Sequence, residues 1–342
     1  MTAPRLTRTY LAVPAHRARL VQNAAASVAD AVFLDLEDAV PPAEKAGALE
    51  AAATALVTHD WGQKTVAVRL NAIDSPSIQS EIARLGGIRR LDAFIIPKAE
   101  AVADVTKIGS WIADAAGSRE TPAEMELLIE TARGLIHVEA LAVADRLVTA
   151  LHLGVGDFAA SIGARSVEIG ASPSGYKHVG SAADGHPQIP LDLFAYPMMR
   201  LLVAARAFGL RAIDGPCGAF RDAVATAATA AKAAAMGYDG KQVIHPTQIE
   251  ATRNAFIPSD EELTYAQRVI AALEESERNG QAAVTVDGKM VDYANIRMIR
   301  RLMSFKGYAG KPCQLIPAYC CSPHPKPPAS TSPRKRSACG AR

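Results

Sequence analysis

Aromatic residues are scarce, at 5% of the 342 positions, which argues against the aromatic-filled core of a β-sandwich. Uncharged apolar runs of the roughly 18 residues that suggest a bilayer span are missing too, so no membrane helix is expected. The opening stretch, MTAPRLTRTYLAVPAHR, holds no long apolar segment of the secretory type. The expectation is a soluble, cytoplasmic protein. Cysteine is nearly absent from the body: of five, Cys313, Cys320, Cys321 and Cys339 follow Lys311, leaving only Cys217 before it. One thiol builds no disulfide framework, which fits a reducing compartment. Acid is absent from Lys311 onward, where six of the 37 Lys/Arg and seven of the 21 prolines fall. Residues 1–310 therefore carry 31 basic against 35 acidic residues, and the formal +2 of the whole chain becomes −4 there. The final stretch, KPCQLIPAYCCSPHPKPPASTSPRKRSACGAR, lacks periodicity and is too proline-rich to pack, so 311–342 reads as a disordered basic tail. Its PRKR has the composition of a nucleic-acid patch, but a solvated tail is the better reading. Neither nucleic acid nor membrane is expected as a partner.

What is present is hydrophobic, at 49% of positions, and rich in alanine, as suits helices packed closely on a sheet. Eight short apolar runs recur: TYLAVP (9–14), AVFLDLE (31–37), TVAVRLN (65–71), AFIIPK (93–98), ELLIET (126–131), LHLGVGD (151–157), LRAIDG (210–215) and KQVIHP (241–246). They do not alternate with period two; they are apolar almost throughout, the mark of parallel strands covered on both faces. Ala-rich segments with helical spacing separate them, at 17–30, 43–58, 100–116, 135–149 and 219–236. Eight such alternations in roughly 250 residues predict a (β/α)8 TIM barrel over 1–257 and not an open doubly wound sheet. No GxGxxG follows the first strand, which weighs against a dinucleotide site. The sixth unit carries a long Gly/Ser-rich insertion after Asp157, of a size that usually covers a substrate. Beyond the barrel, 258–310 should form a C-terminal extension: a helix near 260–279, a hairpin AAVTVDGKMVD and a helix from about Tyr293. It is too small for a core of its own and is expected to pack on the barrel or a neighbouring subunit.

One stretch raises a physical question. VFLDLEDAV puts Asp35, Glu37 and Asp38 within four positions, where a buried strand surfaces. Other strand ends are polar as well: Arg69 and Asn71, Lys98 and Glu100, Glu130, Asp157, Asp214 and His245. In a barrel these ends converge on one face, where active sites are built. Such a charged cup needs a cation and an anion to be stable. Oxygen ligands without a His/Cys cluster suit a hard cation such as Mg2+, not zinc. Lys98 raises a Schiff-base aldolase as a rival; an ion-paired lysine is the blander reading, since an amine among carboxylates stays protonated.

The motifs LDLEDAVPPAEK, VRLNAIDSP, IIPKAE, LLIETARGLIHVEAL, GVGDFAASIG, IDGPCGAFRD and GKQVIHPTQI together resemble, in order and spacing, the HpcH/HpaI aldolase and citrate lyase β-chain superfamily. The likeness runs from about Arg8 to Leu302, and GDFAASIG, DGPCGAF and KMVDYANIR look closest to the L-malyl-CoA/β-methylmalyl-CoA lyases. The resemblance implies a Mg2+-dependent barrel that makes or breaks a carbon–carbon bond in 3-hydroxyacyl-CoA thioesters. Partners would be the CoA thioester and a glyoxylate-type 2-oxoacid. Carried over by motif, Glu130 and Asp157 would bind the metal, and Arg69 the thioester or enolate oxygen. Glu37 and Asp38 would bind metal waters and orient neighbours, and Lys98 would line the substrate site. Arg17 lies where the family contacts CoA phosphates, although Ala15 and His16 depart from its usual pattern there. Asp292 would enter a neighbouring subunit's site as acid/base, which requires a homo-oligomer, a trimer or hexamer. His245 reads as a structural histidine closing the last strand. Three rivals stay open: a citrate lyase β-like protein, a malyl-CoA thioesterase, and a non-catalytic binding barrel.

Overall fold

A computed structural model describes residues 6–178, 188–281 and 283–304. Eight parallel strands close into a barrel: β1 (Thr9–Pro14), β2 (Ala31–Asp35), β3 (Thr65–Arg69), β4 (Ala93–Ile96), β5 (Glu124–Ile129), β6 (Val148–Leu153), β9 (Arg211–Asp214) and β10 (Gly240–Val243). β10 pairs with β1 to complete the ring, so no strand edge is left open. The short antiparallel pair β7 (Lys177–His178) and β8 (Ile189–Pro190) lies in the insertion. No helix among the described residues is long and apolar enough to cross a membrane.

The absence of period-two patterning has a direct cause, because each face of every strand meets apolar atoms. Leu11, Val13, Val32, Leu34, Val66, Val68, Phe94 and Ile96 face the surrounding helices and join the large core. The alternate positions Tyr10, Phe33, Ala67, Ala93, Ile95, Leu128 and Ile213 form a second cluster that fills the barrel. The surrounding helices include α1 (Ala18–Ala26), α2 (Lys45–Thr58), α3 (Ile78–Leu85), α4 (Val102–Ala115), α8 (Ala195–Ala207), α9 (Ala223–Met236) and α10 (Ile249–Phe256). Helix α2 lays Ala48, Ala52, Ala53, Ala55 and Leu56 on the sheet; its small side chains let the helix sit close.

The interior contains one polar layer. Glu126 is fully buried; its Oε2 accepts from Tyr10 Oη at 2.8 Å and lies 2.8 Å from His152 Nε2, while Arg211 Nη2 donates to Oε1 at 2.8 Å. Burial alone would raise the Glu126 carboxyl, but Arg211 and His152 outweigh it and hold the group down to about 2. A depressed carboxyl contributes stability that is present above its unfolded value and is lost as pH falls through the folded one. Glu126→Gln is therefore expected to cost about 3–5 kcal/mol near neutral pH, the typical loss on breaking a buried pair. The gap to wild type should narrow between pH 4.5 and 2. Urea melts of both proteins across that range check it.

Several expected boundaries shift. β5 and β6 begin two to three residues earlier than the apolar runs suggested, and the GVGD expected to end the sixth strand instead opens helix α7 (Val155–Ser161). Gly154 breaks the strand, and Asp157 in the first helical turn meets the positive end of the helix dipole. The segment predicted as one helix over 135–149 is two short ones, α5 (Ala132–Ile136) and α6 (Val138–Ala142).

After the barrel, α11 (Asp260–Arg278) starts at a capping box: Ser259 Oγ accepts from Glu262 N, and Glu262 Oε2 accepts from Ser259 N. Strands β11 (Ala283–Val286) and β12 (Lys289–Asp292) form a hairpin whose Asp287 and Gly288 both have positive φ, as a type I′ turn demands. Helix α12 (Tyr293–Ser304) follows. Leu263, Ala266, Val269 and Leu273 of α11 are buried, as are Val286, Val291, Ile296 and Ile299, yet none belongs to the barrel's apolar cluster. The tail expected at 311–342 lies outside the described residues.

Candidate active site

Parallel register places Asp35 beside Arg69, each the last residue of its strand. Arg69 donates to Asp35 in a two-pronged pair, Nε to Oδ1 at 2.7 Å and Nη2 to Oδ2 at 2.6 Å. The same carboxylate accepts from the backbone of Glu37 at 2.9 Å and of Ala39 at 3.2 Å. Asp35 therefore fixes both the guanidinium and the turn that carries Glu37. Glu37 is buried between two cations, with Oε2 3.2 Å from Arg69 Nη1 and Oε1 accepting from Lys98 Nζ at 2.8 Å. Asp38 is exposed and acts on Glu37 and Lys98 through its charge. The question posed by the three acids thus has three answers: one clamps an arginine, one bridges two cations, one faces solvent.

Lys98 follows β4 with φ +51, a left-handed backbone that a lysine rarely adopts. In that conformation its N–H donates to Glu130 Oε1 at 2.8 Å while its Nζ reaches Glu37. Burial opposes the lysine's charge, but the hydrogen bond and charge of Glu37 push its pKa above the ordinary amine value. Such an amine is a poor imine former, which answers the Schiff-base rival. Arg69 behaves alike: burial opposes its charge, and Asp35 and Glu37 more than offset that.

Glu130, directly after β5, is buried and pushed up to about 8, first by burial and then by the charges of Glu37 and Asp157. Its side chain occupies the space beside Gly154, where a Cβ would come 2.4 Å from Glu130 Cβ and 2.5 Å from Oε2. Asp157, half-buried, faces the same pocket of charge from α7. A divalent cation fits here on two observations: Glu130 and Asp157 repel one another, and Glu37 Oε2, though ion-paired with Arg69 at 3.2 Å, is buried without a hydrogen bond. Among the described residues no group of three or more His, Cys, Asp or Glu is arranged to hold a metal. A pair of carboxylates completed by water and substrate oxygens is the usual Mg2+ arrangement, so a third protein ligand is not required.

Not every expected strand end joins this mouth. Asp214 is buried against Lys241 at 2.6 Å, and Lys241 Nζ also donates to Gly215 O at 2.5 Å. Asn71 is held by Glu81 and Lys45. His245 caps the turn Pro246–Gln248 and lies 4.9 Å from the Phe220 ring. The cup of eight strand ends is thus corrected to one built from β2 to β5 and the start of α7, because the alternate faces of β9 and β10 aim those side chains elsewhere. Arg17 is exposed just past β1, and neighbouring His16 has a buried Nδ1 without a partner. Asp292 ends β12 and accepts from Ala294 N at 2.7 Å; among the described residues no side chain of the mouth bonds to it.

Three contributors have no sequence signal that singles them out. Asp35 reads in sequence as one of three acids, and its place beside Arg69 emerges only with the pairing of β2 and β3. Lys45 reaches back from α2 to Leu36 O at 2.9 Å and Glu37 O at 3.0 Å, a contact with no local signature. Gly154 matters through what it lacks.

Fold and site define a TIM-barrel enzyme with a carboxylate-rich mouth. The profile of the HpcH/HpaI aldolase/citrate lyase family matches residues 8–246. The chain is 35% identical over 299 residues to an L-malyl-CoA/beta-methylmalyl-CoA lyase of Cereibacter sphaeroides, covering 86% of this chain and 92% of that one. It is 33% identical over 297 residues to a (3S)-malyl-CoA thioesterase of the same species, covering 87% and 93%. CitE of Mycobacterium tuberculosis, solved with magnesium, acetoacetate and coenzyme A, superposes with a TM-score of 0.68 at 30% identity, over 88% of this chain and 98% of that one. The chain belongs to the HpcH/HpaI aldolase/citrate lyase family.

Proposed function

We propose that this protein is a Mg2+-dependent lyase of malyl-CoA-type 3-hydroxyacyl thioesters, interconverting them with a glyoxylate-type 2-oxoacid and an acyl-CoA. The observation that carries the reading is the assembly of Arg69, Glu37, Lys98, Glu130 and Asp157 on one rim of the barrel. Glu130 and Asp157 would hold the cation, which when bound supplies Lewis acidity toward the substrate's hydroxyl and carboxylate oxygens. Asp35 occupies two of Arg69's five N–H donors and locks the guanidinium in place. The remaining donors meet the enolate oxygen as charge develops, a contact worth about 10²–10³ in rate. Lys98 pairs with Glu37 through Nζ and holds Glu130 by its backbone N–H. Asp292, delivered from a neighbouring copy in a trimer or hexamer, takes the proton of the 3-hydroxyl in cleavage and passes it to the enolate carbon, and condensation runs the same transfers in reverse. Arg17, exposed on the same rim, meets the phosphates of CoA.

The thioesterase relative supports a second reading, in which water reaches the acyl carbon and free CoA leaves. One incubation separates them. Malyl-CoA supplied with Mg2+ should yield glyoxylate and acetyl-CoA; malate in step with free CoA indicates the hydrolase, and no turnover of either kind sinks both.

A further inference from the structure

The start of the insertion packs against the loop that follows β9. Ile169 and Gly170 lie between two glycine-bearing turns, one holding Asp157 and the other following β9. Gly170 has φ +78, and a Cβ there would come 2.5 Å from Pro216 O and 3.6 Å from Val155 Cγ2. On the facing loop, a Cβ at Gly215 would meet Leu153 O at 2.5 Å and Val155 Cγ1 at 2.7 Å, and one at Gly218 would meet Ile169 O at 3.0 Å. Gly218 N donates to Ile169 O at 2.9 Å, so the loop and the insertion are bonded as well as packed. Val155, buried and two residues before Asp157, is gripped on both sides. The far end of α7 is tethered too: Ser161 Oγ accepts from Ala132 N at 2.9 Å, two residues after Glu130.

We propose that Gly170 and Gly218 are positioning residues, through which the insertion and the Gly215–Gly218 loop clamp Val155 and set Asp157 against Glu130. The inference rests on the reading of Glu130 and Asp157 as the metal pair. The clamp works because backbone meets backbone: an added methyl at 170 strikes the Pro216 carbonyl, which cannot swing aside as a side chain would. Displacing α7 moves one carboxylate and not the other, which degrades the shared site without removing a ligand. Partners that orient metal ligands typically change affinity by about 10–100-fold when lost.

The test measures Mn2+ binding by titration calorimetry, with melting temperatures, on the wild type, Gly170→Ala, Gly218→Ala and Gly175→Ala. Gly175 lies in the same insertion with open space around it and no positive φ, so it controls for added bulk. The first two variants should bind Mn2+ at least about ten-fold more weakly, with the control unchanged. Gly218→Ala, whose contacts are the milder, carries the test if Gly170→Ala does not fold. Wild-type affinity in a folded Gly218→Ala or Gly170→Ala overturns the clamp, as does equal weakening in Gly175→Ala. A wild type that binds no Mn2+ overturns the metal reading itself, and the two failures are thereby told apart.

Discussion

Glu130→Gln is expected to lower turnover by about 10³-fold or more while leaving the melting temperature at or above that of the wild type. The loss follows from removing one of two metal carboxylates, since the cation's stabilisation of developing charge is worth several kcal/mol. The retained stability follows from the site's electrostatics. Burial and the charges of Glu37 and Asp157 disfavour the ionised Glu130 carboxyl. An amide of the same shape relieves that repulsion, and its Oε1 still accepts from Lys98 N as the carboxylate does at 2.8 Å. Asp157→Asn should behave alike, and chelation by EDTA should silence the wild type until Mg2+ is restored. Undiminished turnover in metal-free buffer would defeat the assignment. A collapse in stability with Glu130→Gln would show instead that the carboxylate braces the fold.

Asp292→Ala carries the next largest expected effect, a drop in turnover of about 10² or more if the residue acts as acid/base. The structure supplies the competing explanation, because Asp292 Oδ1 accepts from Ala294 N at the start of α12. Loss of a cap costs about 1 kcal/mol of stability and would leave turnover intact. The two roles separate in mixing experiments. Asp292→Ala subunits still hold a complete metal pair, and Glu130→Gln subunits still hold Asp292, so hybrid oligomers should regain partial activity. Subunits that exchange and stay inactive would rule out action across an interface.

The barrel was legible in the sequence, and the reason is local. Eight strands buried on both faces must be largely apolar, and the helices between them must each carry an apolar stripe toward the sheet, so the alternation is written residue by residue. The order of the motifs likewise carried the family. Glu37, Arg69, Lys98 and Glu130 were readable as strand-end polar groups because a parallel barrel leaves them nowhere else to emerge. Tertiary structure decided the rest. Whether Asp214 faces the mouth or Lys241 depends on the face its strand presents, a difference of one residue in phase. The two-pronged hold of Asp35 on Arg69 depends on register between strands thirty residues apart. The left-handed backbone at Lys98, the space cleared at Gly154 and the clamp about Val155 depend on backbones meeting closely from distant segments. Apolar patterning constrains which side of an element is buried; it carries no information about which distant carbonyl or carboxylate will stand against it. That information exists only once the ring of strands has closed.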